Sequence, residues 1–463
     1  MDRWSRLLIA ACVLHTACDD DPGELDESDP GTVEPRSVMT VNSSTSDEHP
    51  LAWASGTKVV VGNDNRLHAV YHDVGRIKYV TSVDGVVWAA SVTLAGGANN
   101  VNASQPTIAV ADDGTIGVAY RESPGEIRYR FKPANGPWSS SFKVTADASS
   151  GPGGVSDPSI VAFGGRMHLA WSKSWSVHYA SFPANQLAPL ATAERVDHDA
   201  SCIGSGMTNY PAIAVSRRSA SDPAERVRIA FFDRYSDCVD SFFAITVAER
   251  QSGGSWQYVK EQAVSSPSVL YPVSMSHAAI PTTGDFYIGV SYTEDGVGTT
   301  EIWYENAWNN DTWRGVTAFA EESYVDVSAK VVDCVPTLRY ALNYPFGVPG
   351  ELGNSFGGYG QTFVRTGRWT GAQATAPTWA DQAPVLIDSD GSTPEALFFR
   401  KTTGNSTRHV RAVYARWLPV GGKSIVEETF TVPAVPGPAQ NPCKQPQPLV
   451  GLGGHSSIAA DAE

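Results

Sequence analysis

A chain of 463 residues with 42% hydrophobic and 10% aromatic content can bury a sizeable core. Only 18% of residues are charged, while Gly (42), Trp (13) and Tyr (17) are plentiful, which favours short strands and tight turns over long salt-bridged helices. The formal charge of -15 and the lack of a basic stripe with interleaved aromatics exclude nucleic acid as a partner.

Arg3 and Arg6 precede an apolar run at 7–14, followed by His15-Thr16-Ala17-Cys18. A basic start, a short apolar stretch and a small residue before the cut predict a signal peptide over 1–17. The run is far shorter than the roughly 20 residues a membrane-spanning helix needs. Residues 18–37 carry eight acids against Arg36 and almost no large apolar side chain, so they predict a solvated tether. With Cys12 and Cys18 set aside, Cys202, Cys238, Cys334 and Cys443 remain, an even number that suggests disulfides in an exported chain. Three pairings are open, with Cys202–Cys238 and Cys334–Cys443 favoured. No metal spacing occurs among the Cys and His residues, and no cofactor is expected.

From about 57 onward one pattern recurs. A strand ends in an aromatic residue with apolar residues two and four positions earlier: Leu67/Ala69/Tyr71, Ile116/Val118/Tyr120, Met167/Leu169/Trp171, Val227/Ile229/Phe231, Ile288/Val290/Tyr292 and Val410/Ala412/Tyr414. Period-two alternation marks a half-buried strand. A second strand follows (Ile77-Lys78-Tyr79, Ile127-Arg128-Tyr129, Val177-His178-Tyr179, Ile302-Trp303-Tyr304), and a Trp stands nine residues beyond the Tyr at Trp88, Trp138 and Trp313. Val247 and Trp256 keep that spacing, and the Trp is expected to start an outer strand. Upstream lies a strand entered through proline, as at Gln105-Pro106, Asp157-Pro158, Tyr210-Pro211 and Thr393-Pro394, where a missing N–H costs little at the first residue. Four-stranded antiparallel units repeated in this way predict an all-β fold, a β-propeller of about seven blades over 38–432, with six as the alternative count. The segment around Val38-Met39-Thr40-Val41 would supply the last outer strand. Asp112-Asp113-Gly114 and Asp388-Ser389-Asp390-Gly391-Ser392 read as turns, and 433–463 as a Pro-rich tail.

Two resemblances follow. Ala17-Cys18 resembles a bacterial lipobox, with His15 in place of the usual aliphatic residue. That implies lipidation of Cys18 and an exported protein held at the cell envelope, facing periplasm or exterior, with the membrane as a partner. Ser82-Val83-Asp84-Gly85-Val86-Val87-Trp88 resembles the Asp box of sialidase-like (BNR repeat) propellers, one residue short. The resemblance implies a shared fold over roughly 45–432. Asp boxes are structural turns away from the catalytic face, so Ser82 and Asp84 are not candidates for chemistry. The F/Y-R-I-P motif of sialidases does not occur, and fold alone does not assign the activity.

In such a fold, loops leaving the aromatic-ended strands share one face with those entering the inner strands. The first set brings His72, Asp73, Arg121, Glu122, Lys173, Asp233, Arg234, Glu294, Asp295, Tyr344 and Arg416; the second brings Tyr210 and His277. A mere turn would repeat Gly, Asn or Asp, whereas varied charges suit an asymmetric polar ligand such as a glycan, with arginines on carboxylate or sulfate groups. A hydrolase would need two of Asp73, Glu122, Asp233, Glu294 and Asp295 flanking one bond. A polysaccharide lyase would draw a base from His72 or Tyr210 and a neutralising Arg121. A scaffold without catalysis would use the rim for solubility alone. A monomer is expected in each case.

Overall fold

The structure, a computed structural model, describes twenty-eight strands between Met39 and Thr431, with turns and side chains mainly within residues 56–260. Sheet one runs Val59–Val61, Leu67–Asp73, Arg76–Ser82, Val92–Gly96; sheet two Ala103–Val110, Ile116–Glu122, Glu126–Lys132, Phe142–Lys143. Sheet three runs Val155–Phe163, Arg166–Lys173, Ser176–Pro183, Glu194–Arg195; sheet four Asn209–Arg217, Glu225–Ser236, Ser241–Arg250, Trp256–Val264. Sheet five is Pro272–Ile280, Asp285–Glu294, Val297–Glu305, Arg314–Ala320. Each is an antiparallel meander in chain order.

An eight-stranded sixth sheet contains two such groups. The first is Tyr324–Val332, Val335–Pro345, Gly360–Thr370 and Thr378–Asp381; the second is Val385–Phe398, His409–Leu418, Gly422–Thr431 and the N-terminal Met39–Thr45. They join where Val364 pairs with Val385 and Gly360 with Gly391. Counted by sheets the fold has six units among the described residues; counted by meanders it has seven. First strands pack side by side from each group to the next, and Val385–Phe398 packs back against Val59–Val61, so the arrangement is radial: a β-propeller.

Strand alternation builds the core between sheets. Ile116, Val118 and Tyr120 face sheet one, packing with Val70, Ile77, Tyr79 and Leu94. The other side of sheet two turns Ala119, Ile127 and Tyr129 toward Met167, Leu169 and Trp171 of sheet three. Ala170, Val177 and Tyr179 meet Val227, Ile229 and Phe231 in the same way. Each fully buried aliphatic or aromatic side chain contributes about 1.5–3 kcal/mol.

The nine-residue Tyr-to-Trp spacing turns out to connect different sheets. Tyr79 meets the edge of Trp138, one sheet on, with ring centroids 4.9 Å apart, and Tyr179 meets Trp256 at 5.2 Å. Trp88 packs instead on the opposite face of its own sheet, with Val59, Leu67 and Tyr71. Sheet three has no Trp at this position; Phe182 takes its place against Tyr129, at 5.0 Å.

Three local expectations are corrected. The prolines are not the first residues of their strands: Pro106 and Pro211 sit inside bulges, between Ser104↔Arg121 and Thr107↔Ala119 and between Asn209↔Phe232 and Ala212↔Ala230. A bulge leaves its extra residue out of the ladder, so the missing N–H costs nothing there. Trp88 and Trp138 each stand four residues before their outer strands, and among the described residues of this set only Trp256 begins one; Trp313 lies outside the described residues. Asp388 to Ser392 lie within Val385–Phe398, where the strand crosses from pairing Gly360–Thr370 to pairing His409–Leu418, and form no turn. Asp112-Asp113-Gly114 does turn, with Gly114 at φ 80° and its N–H donating to the Ala111 carbonyl at 2.8 Å.

Candidate functional site

Second strands end, and first strands begin, at one end of the sheets, and this rim carries most of the candidates. His72 and Asp73 close Leu67–Asp73, Arg121 and Glu122 close Ile116–Glu122, and Lys173 closes Arg166–Lys173. Ser82 and Trp88 bridge at the opposite end, where the Ser82 hydroxyl donates to the Val87 carbonyl at 2.8 Å.

Strand parity deals the rim residues into separate grooves. His72 lies opposite Ile77, and Glu122 falls on the side of Tyr120, so both face the gap between sheets one and two. Arg121 lies opposite Ile127 and shares the gap between sheets two and three with Lys173, which is on the side of Trp171. Asp233, on the side of Phe231, faces the gap between sheets three and four. Asp73, on the side of Tyr71, faces away from sheet two.

The first groove holds an ion network. Glu122 pairs with Arg128, and Arg128 also reaches Glu126 at 2.9 Å, while Lys143 reaches Glu126 at 2.9 Å. Burial raises the Glu122 carboxyl above its ordinary range, against the pull of Arg128. Burial acts the same way on Glu126, but its bonds to Lys143 and Arg128 outweigh that and lower it. The Tyr120 hydroxyl, pushed up to about 12 by burial, is within 2.7 Å of Ser141. His72 serves the backbone here. Its Nε2 accepts the Gly75 N–H at 3.0 Å, closing a turn in which Val74 and Gly75 have φ of 47° and 70°.

Asp233 is 7% exposed and accepts from the Tyr258 hydroxyl at 3.4 Å. Tyr210 has φ 59° and precedes Pro211 in its bulge, and Gln105 has φ 52° at the matching place in sheet two. Left-handed conformations at non-glycine residues cost on the order of 1–3 kcal/mol, and here they set both side chains at the rim.

Of the remaining candidates, Arg234, Glu294, Tyr344 and Arg416 lie toward the rim ends of their strands by backbone placement. His277 does not: it pairs with Ile288, well inside Pro272–Ile280, because the strand begins five residues before it. Asp295 and the cysteines Cys18, Cys202, Cys238, Cys334 and Cys443 lie outside the described residues. His178 and Arg195 were missed from sequence. They are cross-strand partners on the Trp171 side of sheet three, and pairing of a third strand with a two-residue outer strand has no local signal.

No protein-family model matches the chain, and no curated protein sequence matches it. Among solved structures it is similar to AofleA from Arthrobotrys oligospora, at 12% identity over 78% of this chain and 91% of that one, TM-score 0.43. It is similar to an intramolecular trans-sialidase from Ruminococcus gnavus, at 8% identity, 86% and 97% coverage and TM-score 0.43. A fungal lectin from Aleuria aurantia, described as a six-bladed β-propeller, aligns at 10% identity over 69% of this chain and 91% of that one, TM-score 0.37.

Proposed function

We propose that this β-propeller is an exported protein, anchored through Cys18, that recognises glycans at the rim where its second strands end. The observation that supports the reading is a single structural position occupied in successive sheets by Asp73, Glu122, Lys173 and Asp233. Different charges at one repeated place, beside the partly exposed Tyr258 and Tyr210 rings, suit a ligand that offers several unlike polar groups and apolar ring faces. Asp233 is mostly withdrawn behind Tyr258, so Asp73, Arg121, Glu122 and Lys173 are the more accessible members.

A glycan array probed with residues 38–463 tests this. Binding to a defined set of saccharides, weakened in Glu122→Gln and Arg121→Gln, is the expected result. An array with no bound saccharide at all would overturn it.

A further inference from the structure

The groove between sheets two and three differs from its neighbours in charge. At the position two residues past the strand-ending aromatic, sheets one, two and four carry Asp73, Glu122 and Asp233, while sheet three carries Lys173. Beside it, His178 pairs across the sheet with Arg195, and both face sheet two with Trp171. In sheet two the matching pair, Arg128 and Lys143, is neutralised by Glu122 and Glu126. In sheet three the acid that meets Arg195 is Asp197, at 3.1 Å, and it also accepts the Val177 N–H at 3.1 Å. From across the groove comes Arg121, whose buried Nε has no hydrogen-bond partner among the described residues.

A second buried donor is unpartnered beside it. Tyr71 and Tyr120 direct their hydroxyls to Ser91 and Ser141, each just before an outer strand. Sheet three has Trp171 and Ala193 at these places, so the indole N–H, in a side chain only 1% exposed and stacked 5.9 Å from His178, has no partner among the described residues. A buried donor without an acceptor is destabilising, and here two of them lie beside a groove where charge has changed sign. We infer that this groove binds an anionic group, a carboxylate or sulfate carried on a saccharide. The inference rests on the glycan reading above and gives it a chemical class. The anion would sit between Lys173 and the Arg121 guanidinium. A small shift of the Arg121 side chain would open its Nε to the ligand, since charge-assisted bonds are the strong ones.

The decisive experiment is calorimetric titration of residues 38–463 with three probes: an oligogalacturonate, a chondroitin sulfate oligosaccharide and a neutral galactan oligosaccharide. Either acidic probe should bind more tightly than the neutral one, and its affinity should fall as salt rises. Lys173→Glu, which installs the charge found in the other sheets, and Arg121→Gln should each weaken it at least tenfold. Lys132→Glu makes the same charge change as Lys173→Glu at the opposite end of sheet two and should leave affinity unchanged. Where Lys173→Glu melts lower than the parent, Lys173→Gln replaces it. Binding of the neutral probe alone, or acidic binding indifferent to both Lys173 and Arg121, overturns this inference and leaves glycan recognition standing. Failure of all three probes together with a blank glycan array overturns both.

Discussion

His168 sits fully buried in the second strand of sheet three, with Nδ1 2.8 Å from the Tyr179 hydroxyl and Nε2 3.7 Å from Glu225 of sheet four. Burial lowers its pKa to about 4, Arg166 and Arg250 push the same way, and the neighbouring Phe163 backbone opposes them. Because the folded state holds this imidazole neutral, the unfolded chain binds more protons between about pH 6.5 and pH 4. The stabilisation is complete above that window and is lost as pH falls through it, on the order of 3 kcal/mol. Glu225, raised by its own burial, works against the trend, so the informative quantity is a difference between proteins. Urea midpoints at neutral and mildly acidic pH should fall more steeply for the parent than for His168→Gln; equal slopes would refute the argument. A buried charge lies one sheet on, where Glu249 accepts from Arg226 at 2.9 Å and Arg228 at 2.8 Å, with the Arg228 guanidinium 4.4 Å above the Phe286 ring. Glu249→Ala would leave two guanidinia facing each other, at a cost of about 3–5 kcal/mol in denaturant unfolding. Replacing Arg228 by Met should cost less, since it removes a charge with its desolvation.

At the scale of the strand, the repeated Tyr and Trp locate the interlock between sheets. A double-mutant cycle on Tyr79 and Trp138 should give a coupling of about 0.5–1.5 kcal/mol, as expected of edge-to-face pairs. The same cycle on Tyr79 and Trp88 should give none, because those rings lie on opposite faces of sheet one. The four-strand repeat was legible in sequence because period-two alternation and terminal aromatics are local signals, as in Ile116/Val118/Tyr120. What the aromatics touch was not legible, since the offset of nine belongs to the hairpin whereas the contact from Tyr79 to Trp138 crosses about sixty residues of chain. The bulges at Gln105-Pro106 and Tyr210-Pro211 look like strand starts in the sequence for a related reason: proline reports a missing N–H and not where the ladder resumes. The rim was legible as a row of ionisable residues. Its division into grooves was not, because His72 and Asp73 are neighbours in sequence yet face opposite sides of their sheet. Gly117 shows how one position serves several ends. His68 and His168 bond the Tyr of the next strand at 2.8 Å, whereas a side chain at Gly117 would meet the Tyr129 hydroxyl at 2.6 Å and Met167 at 2.8 Å. Tyr129 donates instead to the Ala184 carbonyl of sheet three, at 2.7 Å.

For the whole molecule, closure depends on Met39–Thr45, which pairs antiparallel with Gly422–Thr431 and places Met39 opposite Glu427. A protein beginning at residue 46 would leave Gly422–Thr431 as an open edge, a template for pairing with other chains. It should melt several degrees below a protein beginning at residue 36 and self-associate on sizing chromatography; equal melting and a monomeric profile would show that the strand is dispensable. The same pairing sets an order in time. Sheets one to five are each assembled from contiguous chain and can form as they emerge from synthesis or export. Met39–Thr45 emerges before all of them and must wait, unpaired, for the last strand of the fold. Until Gly422–Thr431 arrives, the leading strand of this protein belongs to no sheet, and that interval is when a chaperone or another copy of the chain has its best chance to claim it.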